Sequence, residues 1–227
     1  LMIAGEAALS NWDAGMDMYI YGKLGNLTMT KEGINVLMTN LTGKVPPILQ
    51  RLDYIRFNGE AAGYLHDLTL TGLFHTGAGM VKTDVMMSID EQSMSRTYSG
   101  SVASADLDLG KLLNQEKKFG KVDFNVELKG FNYKNRYPES YIKGIISSFE
   151  YSQYQYENIM LDGVYKDGGF NGRLSMDDAN GSVQIDGNFN VAKTIPDFNL
   201  KASVKNLRPH DLHLSDKYEN ASISLDL

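Results

Sequence analysis

The feature that most constrains this chain is an alternation of apolar and polar residues with a period of two. It is clearest at residues 122–129, where Val, Phe, Val and Leu alternate with Asp, Asn, Glu and Lys. Successive side chains of a strand point to opposite faces, so this run predicts a half-buried β-strand. The same pattern recurs at residues 55–61, 68–74, 81–89, 159–165, 170–176, 183–191 and 198–204.

The segments between these runs are short and rich in turn-forming residues. Residues 167–169, 177–181 and 194–197 are each short enough to join neighbouring antiparallel strands. Helix signals are few: residues 45–52 carry proline where a first helical turn accepts it, and residues 109–118 are long enough for two or three turns. With no linker between the runs, the sequence predicts one continuous all-β unit over residues 1–227. Its expected form is a curved, mostly antiparallel meander with one or two short helices.

Five glycines fall on the apolar side of the predicted strands, where a large side chain is expected. Repeated on one face, glycine lets a sheet curl inward while its concave side stays open. An alternative is that some of them are turn residues, with residues 186–188 forming a tight hairpin. The predicted groove-shaping glycines are Gly59, Gly130, Gly163, Gly172 and Gly187.

Composition and motifs argue against several functions. The chain has 22 basic and 28 acidic residues and no cysteine, so neither nucleic-acid binding nor a thiolate metal site is expected. His210 and His213 are three residues apart beside Pro209, which favours a surface turn over a metal site. Asp177 and Asp178 fit a solvated hairpin tip better than a catalytic pair. We therefore expect a protein that is not an enzyme and that has no metal or cofactor.

A cluster of tyrosines between residues 133 and 156 supports a different function. Aromatic platforms on sheets stack sugars in many carbohydrate-binding modules, so a secreted or surface β-sandwich that binds carbohydrate is the alternative hypothesis. Tyrosine also suits half-exposed strand positions and pairs across strands, which would explain the cluster without any ligand. The cluster contains Tyr133, Tyr137, Tyr141, Tyr151, Tyr154 and Tyr156.

A series of short motifs runs along most of residues 41–214. The motifs are VPPILQRL at 45–52, I-x-F-x-G at 55–59, Gly63, TGLF at 71–74, YSG at 98–100, DLGKLL at 108–113, FG-x-V at 119–122, V-x-L-x-G at 126–130, Y-x-NI-x-L-x-G-x-Y at 156–165, F-x-G at 170–172 and V-x-I-x-G at 183–187. Each motif is short and strand-like, so any resemblance depends on their order. That order resembles the TamB branch of the AsmA-like family, in particular its Bacteroides-type members.

This resemblance implies a location and a role. Members of the family are envelope proteins of Gram-negative bacteria, anchored in the inner membrane and extending through the periplasm as a long β-taco. They are linked to outer-membrane biogenesis, either as bridge-like lipid conduits or in the translocation and assembly of outer-membrane proteins. Leu1 stands in place of an initiator Met, and the chain stops inside the alternating run at 221–227, so we expect an internal segment of such a protein.

The alternation of residues and the family resemblance both indicate that the apolar face of the predicted sheet is the functional surface. A monomer rarely exposes more than about a few hundred Å² of contiguous apolar surface, so this face must pack against itself or be filled by acyl chains. The expected partners are phospholipid or another acyl-chain ligand, an outer-membrane assembly protein and neighbouring segments of the same chain. Unpaired edges could also receive client strands. The predicted lining of the groove is Val122, Phe124, Val126, Leu128, Ile159, Leu161, Leu174, Val183, Ile185, Phe189, Val191, Leu200 and Val204.

Overall fold

A computed structural model describes residues 2–11, 13–90, 92–93, 95–132, 139–190, 197–215 and 221–226. These residues contain thirteen strands in a single antiparallel sheet, and the spatial order of the strands is their order along the chain. The strands are β1 (Met2–Ser10), β2 (Tyr19–Thr30), β3 (Tyr54–Tyr64), β4 (Asp67–Thr76), β5 (Gly79–Ile89), β6 (Arg96–Asp108), β7 (Phe119–Asn132), β8 (Glu139–Tyr151), β9 (Tyr154–Lys166), β10 (Gly169–Asp178), β11 (Gly181–Asn190), β12 (Asp197–Leu207) and β13 (Ala221–Asp226).

The sheet is a curved meander that does not close into a barrel. The predicted fold class, an all-β antiparallel meander with short helices, is therefore confirmed. The runs of alternating residues lie in β3, β4, β5, β7 and β9 to β12, and each of these strands pairs with the next along the chain. Strand β13 lies within the alternating run at 221–227, whereas strands β1, β2, β6 and β8 were not predicted individually.

Two α-helices accompany the sheet. Helix α1 (Lys31–Thr42) begins where the Thr30 hydroxyl accepts a hydrogen bond from the Gly33 amide, and it ends at Gly43 in the left-handed conformation. It lies outside both predicted helical segments. Helix α2 (Leu109–Leu113) occupies only the first half of the predicted segment at 109–118. The other predicted segment, at 45–52, contains only a 3-10 turn at Leu49–Arg51.

The register of the strands gives the sheet one apolar face and one polar face. Directly paired residues project from the same side of a sheet, so a row of cross-strand partners shares a face. One such row runs from Val126 through Gly144, Leu161, Leu174 and Ile185, one residue from each of five strands. We call this side the apolar face and the opposite side the polar face.

Ion pairs bridge neighbouring strands on the polar face. Lys143 Nζ lies 3.6 Å from Asp162 Oδ2, and Arg173 Nη2 lies 2.8 Å from Asp186 Oδ2. Exposed pairs of this kind add little to the free energy of unfolding. Their effect is on register, because a slip of one residue would move these charges onto the apolar face.

Glycines recur on the apolar face where neighbouring backbone comes unusually close. A Cβ placed on Gly144 would lie 2.6 Å from the Cα of Val126, and one on Gly187 would lie 2.6 Å from the Cα of Leu200. No ordinary side chain fits at these distances. Glycine therefore allows neighbouring strands to approach closely on this side of the curved sheet. Gly187 has φ +139° in the middle of β11, which rules out a hairpin at residues 186–188.

A pair of alanine substitutions tests this crowding. Gly187→Ala is expected to lower the free energy of unfolding by about 1–3 kcal/mol, because the new Cβ meets backbone and the positive φ strains any L residue. Gly22→Ala is the matched control on the same face, since its Cβ would meet nothing nearer than a Leu24 side-chain atom at 3.8 Å. That change should stay within about 0.5 kcal/mol. Urea unfolding of both variants measures the two free energies of unfolding. An equal loss of stability in both would contradict the close approach of backbone at Gly187.

Candidate functional site

All of the predicted lining residues that the structure describes lie on the apolar face. Val191 lies outside the described residues. Val122 and Phe189 occupy rows nearer the strand ends, and the others fall in three adjacent rows. The first row is Phe124, Ile146, Ile159, Met176, Val183 and Val204; the second is Val126, Gly144, Leu161, Leu174, Ile185 and Ala202; the third is Leu128, Ile142, Gly163, Gly172, Gly187 and Leu200.

One margin of the apolar face is covered by helices. Helix α1, the 3-10 turn at Leu49–Arg51 and helix α2 form what we call the helical cap. Ile34 of α1 is 1% exposed, and it belongs to the same buried cluster as Leu112 of α2 and Val122 of β7. Val122 is itself only 3% exposed. This predicted lining residue therefore lies beneath the cap and does not face an open groove.

Polar contacts fasten the helical cap to the strand ends. The Lys111 ammonium donates to Asp53 Oδ2 at 2.6 Å and to the Gly77 carbonyl at 3.1 Å. Within the cap, the Arg51 guanidinium donates to the carbonyl of Leu112 and so joins the 3-10 turn to helix α2. The hydrogen bond from Lys111 lowers the pKa of Asp53, so this carboxylate remains charged and paired at neutral pH.

A second cover lies farther along the same margin, in residues 208–215, which we call the fold-back turn. Leu212 in this turn has no exposed surface. The Tyr156 hydroxyl donates to the Leu212 carbonyl at 2.8 Å, and His213 Nδ1 lies 2.9 Å from the Ser152 carbonyl oxygen. The turn therefore closes on the adjoining ends of β8 and β9.

Beyond this margin the apolar face is only half-buried in the described structure. Val126, Leu128, Leu161 and Ile185 all retain partial exposure, whereas the buried cluster and the residues packed against it reach only as far as the row of Phe124 and Ile146. A sheet packed face to face against a second layer would bury such residues fully. Twelve inter-strand spacings of about 4.8 Å give this face a length of about 58 Å.

Aromatic rings line the margin opposite the helical cap. Tyr165, Phe170, Phe189 and Phe198 are successive cross-strand partners in β9 to β12, and the Phe170 and Phe189 ring centroids are 5.8 Å apart. Phe198 is 50% exposed. The margin away from the cap therefore combines apolar rings with access to solvent.

Rings also occupy part of the space that the glycines leave. A Cβ on Gly163 would lie 2.5 Å from Phe170 Cζ, and a Cβ on Gly72 would lie 2.5 Å from Phe57 Cε2. Covering a strand glycine with a neighbouring ring compensates for its missing side chain. At these positions glycine serves close packing and leaves no empty cleft. Gly72, Gly100 and Gly144 join the five predicted glycines on this face.

The described tyrosines of the predicted cluster do not share one platform. Tyr141 lies on the polar face, whereas Tyr151, Tyr154 and Tyr156 lie together on the apolar face near the fold-back turn. Tyr133 and Tyr137 lie outside the described residues. Burial raises the pKa of Tyr156. Burial and the hydrogen bond to Asp178 raise the pKa of Tyr154 to about 12.

The absence of a metal site remains a prediction from the sequence. His210 and His213 lie in the fold-back turn, and no group of three or more acidic or histidine side chains in the described structure is arranged to hold a metal ion.

Neither helix has the length and apolar character needed to span a bilayer, as far as the described residues extend. Searches against family models, curated proteins and solved structures found no match to this chain.

Titration of Tyr154 tests whether the fold-back turn closes this margin. Its folded pKa of about 12 exceeds the ordinary value of about 10, so its contribution to stability is present below pH 10 and is lost as the pH rises toward 12. Tyrosinate absorbance of the wild type minus that of Tyr154→Phe should show one group titrating near 12. Asp178→Asn should lower that pKa. A group titrating near 10 in this difference curve would mean that Tyr154 is not enclosed.

Proposed function

We propose that this chain is a non-enzymatic section of a periplasmic lipid conduit in which the apolar face shelters phospholipid acyl chains. The observation that carries the proposal is the single apolar face of the thirteen-stranded sheet, which the described residues cover along one margin, through the helical cap and the fold-back turn. The motif order that resembles the TamB branch of the AsmA-like family supports the same role in outer-membrane biogenesis.

The size of the uncovered face argues for an occupant. A strip about 58 Å long and about 10 Å wide amounts to about 600 Å², at or above the largest apolar patch that a monomer usually exposes. Water against this surface is unfavourable by about 25 cal/mol per Å². Acyl chains, which are long, flexible and wholly apolar, match a long strip better than a compact ligand does.

The energetics of acyl chains suit movement along the face. Transfer of one CH₂ group from water into an apolar site gains about 0.8 kcal/mol, so a chain on the face is strongly protected from water. Bilayer and groove are both apolar, and exchange between them is therefore nearly neutral. Such a surface holds a lipid without trapping it, which is what transport between membranes requires.

The architecture also fits a section of a longer path. In a meander the strands follow one another along one direction, so further strands at β1 or β13 would lengthen the apolar face without changing its cross-section. We propose that neighbouring segments of an inner-membrane-anchored protein continue the conduit in this way, and that an outer-membrane assembly protein is its partner at the far end.

Charge reversal on the two faces of β7 tests the proposal. Val126→Asp places a carboxylate among the acyl chains, whereas Lys129→Glu changes charge on the polar face of the same strand. Binding of acyl-labelled phosphatidylethanolamine, followed by fluorescence, should fall by about tenfold or more in Val126→Asp and remain within about twofold in Lys129→Glu.

A second apolar-face variant separates loss of binding from loss of folding. Ile185→Asp lies four strands away in the same row and should also impair binding. Circular dichroism of each variant identifies any that no longer fold. Equal lipid binding by folded Val126→Asp, Ile185→Asp and Lys129→Glu would refute the proposed role of the apolar face.

A further inference from the structure

The polar face contains a cavity that the proposed lipid site does not use. Its volume is about 420 Å³, within the range of small-molecule sites, and its lining includes Met86, Lys129, Phe131, Tyr141 and Val164. An adjoining cavity of about 670 Å³ shares Met86, Lys129 and Tyr141 with it. A twisted sheet is saddle-shaped, so a concavity on each face is consistent with one layer.

Tyr141 stands at the junction of the two cavities with its ring held in place. Its hydroxyl donates to Asp162 Oδ1 at 2.9 Å, and Asp162 is in turn 3.6 Å from Lys143 Nζ. The hydrogen bond to Asp162 also raises the pKa of Tyr141. The residue is 37% exposed, so part of this anchored aromatic side chain is available at the surface.

Hydrogen-bonding groups of both kinds surround this ring. Lys129 is the direct cross-strand neighbour of Tyr141 and makes no ion pair within the described part of the chain. Ser99 pairs with Lys129 from the other side, and Glu127 lines the adjoining cavity. Asp84, also in that lining, accepts a hydrogen bond from the Thr71 hydroxyl at 2.9 Å.

We propose that these adjoining cavities on the polar face bind a neutral saccharide, with Tyr141 as the stacking platform. One side of a sugar ring presents C–H groups that pack on an electron-rich aromatic face, and its hydroxyls both donate and accept hydrogen bonds. Lys129 and Ser99 supply donors, whereas Glu127 and Asp84 supply acceptors. This inference does not depend on the proposed lipid function.

The lining disfavours other ligand classes. Acyl chains would leave the charged groups of Glu127 and Lys129 without hydrogen-bond partners. Phosphate-rich ligands would meet carboxylates beside a single unpaired ammonium group, and the chain as a whole has a net charge of −6. A neutral polyhydroxyl ligand is the class that satisfies both the ring and the mixed polar groups.

Calorimetric titration with cellohexaose, maltohexaose and hexa-N-acetylchitohexaose tests the proposal on the full chain. At least one of the three should bind, and Tyr141→Ala should weaken that binding by about tenfold or more. Tyr141→Phe retains the ring and loses only the anchor to Asp162, so a smaller loss of about two- to threefold is expected. Tyr64→Ala is the control, because Tyr64 is also exposed on the polar face but lies outside both cavity linings.

Two results would overturn the saccharide site. One is that none of the three hexasaccharides binds to wild-type protein. The other is that Tyr141→Ala, shown to be folded by circular dichroism, binds as tightly as Tyr64→Ala. Val126→Asp should leave saccharide binding unchanged, so failure of the lipid proposal and failure of this one are distinguishable.

Discussion

Every strand of this sheet must keep its apolar side chains on the same face, and the rest of the structure depends on that constraint. Single-residue irregularities in pairing maintain it where the sequence period slips. Leu24 and Leu27 of β2 are three residues apart, yet they pair with Gly59 and Phe57, which are two apart on the same side of β3. Without such bulges, half of a strand would turn its apolar residues toward the polar face.

The same bulges explain which strands could be predicted. Residues 122–129 and the runs from 159 to 204 keep a strict period of two, so the sequence alone predicts both the strands and the face on which each side chain lies. In β8, Ile146 and Phe149 share the apolar face although they are three positions apart along the chain. That slip hides the strand from any test for alternation. Strand β6 has a similar slip between Ser104 and Leu107.

Local sequence patterns predicted parts of the helical cap, at 45–52 and 109–118, but not helix α1. Gly33 and the β-branched residues Ile34 and Val36 disfavour a helix at α1. The helix forms because Ile34 packs into a cluster with residues more than 70 positions away, such as Leu107 and Leu112. For the same reason the sequence identifies the face of Val122 but not its burial beneath the helical cap. Likewise, the spacing of Gly163 and Phe170 does not reveal that the ring covers the glycine.

The most direct test of the account is native mass spectrometry of the chain purified from bacteria without detergent. If the apolar face is an acyl-chain site, the folded protein should carry phospholipid that is released on denaturation and identified by its fatty-acid masses. A folded monomer that is free of lipid under the same conditions, and that gains none from phospholipid vesicles, would contradict the central claim.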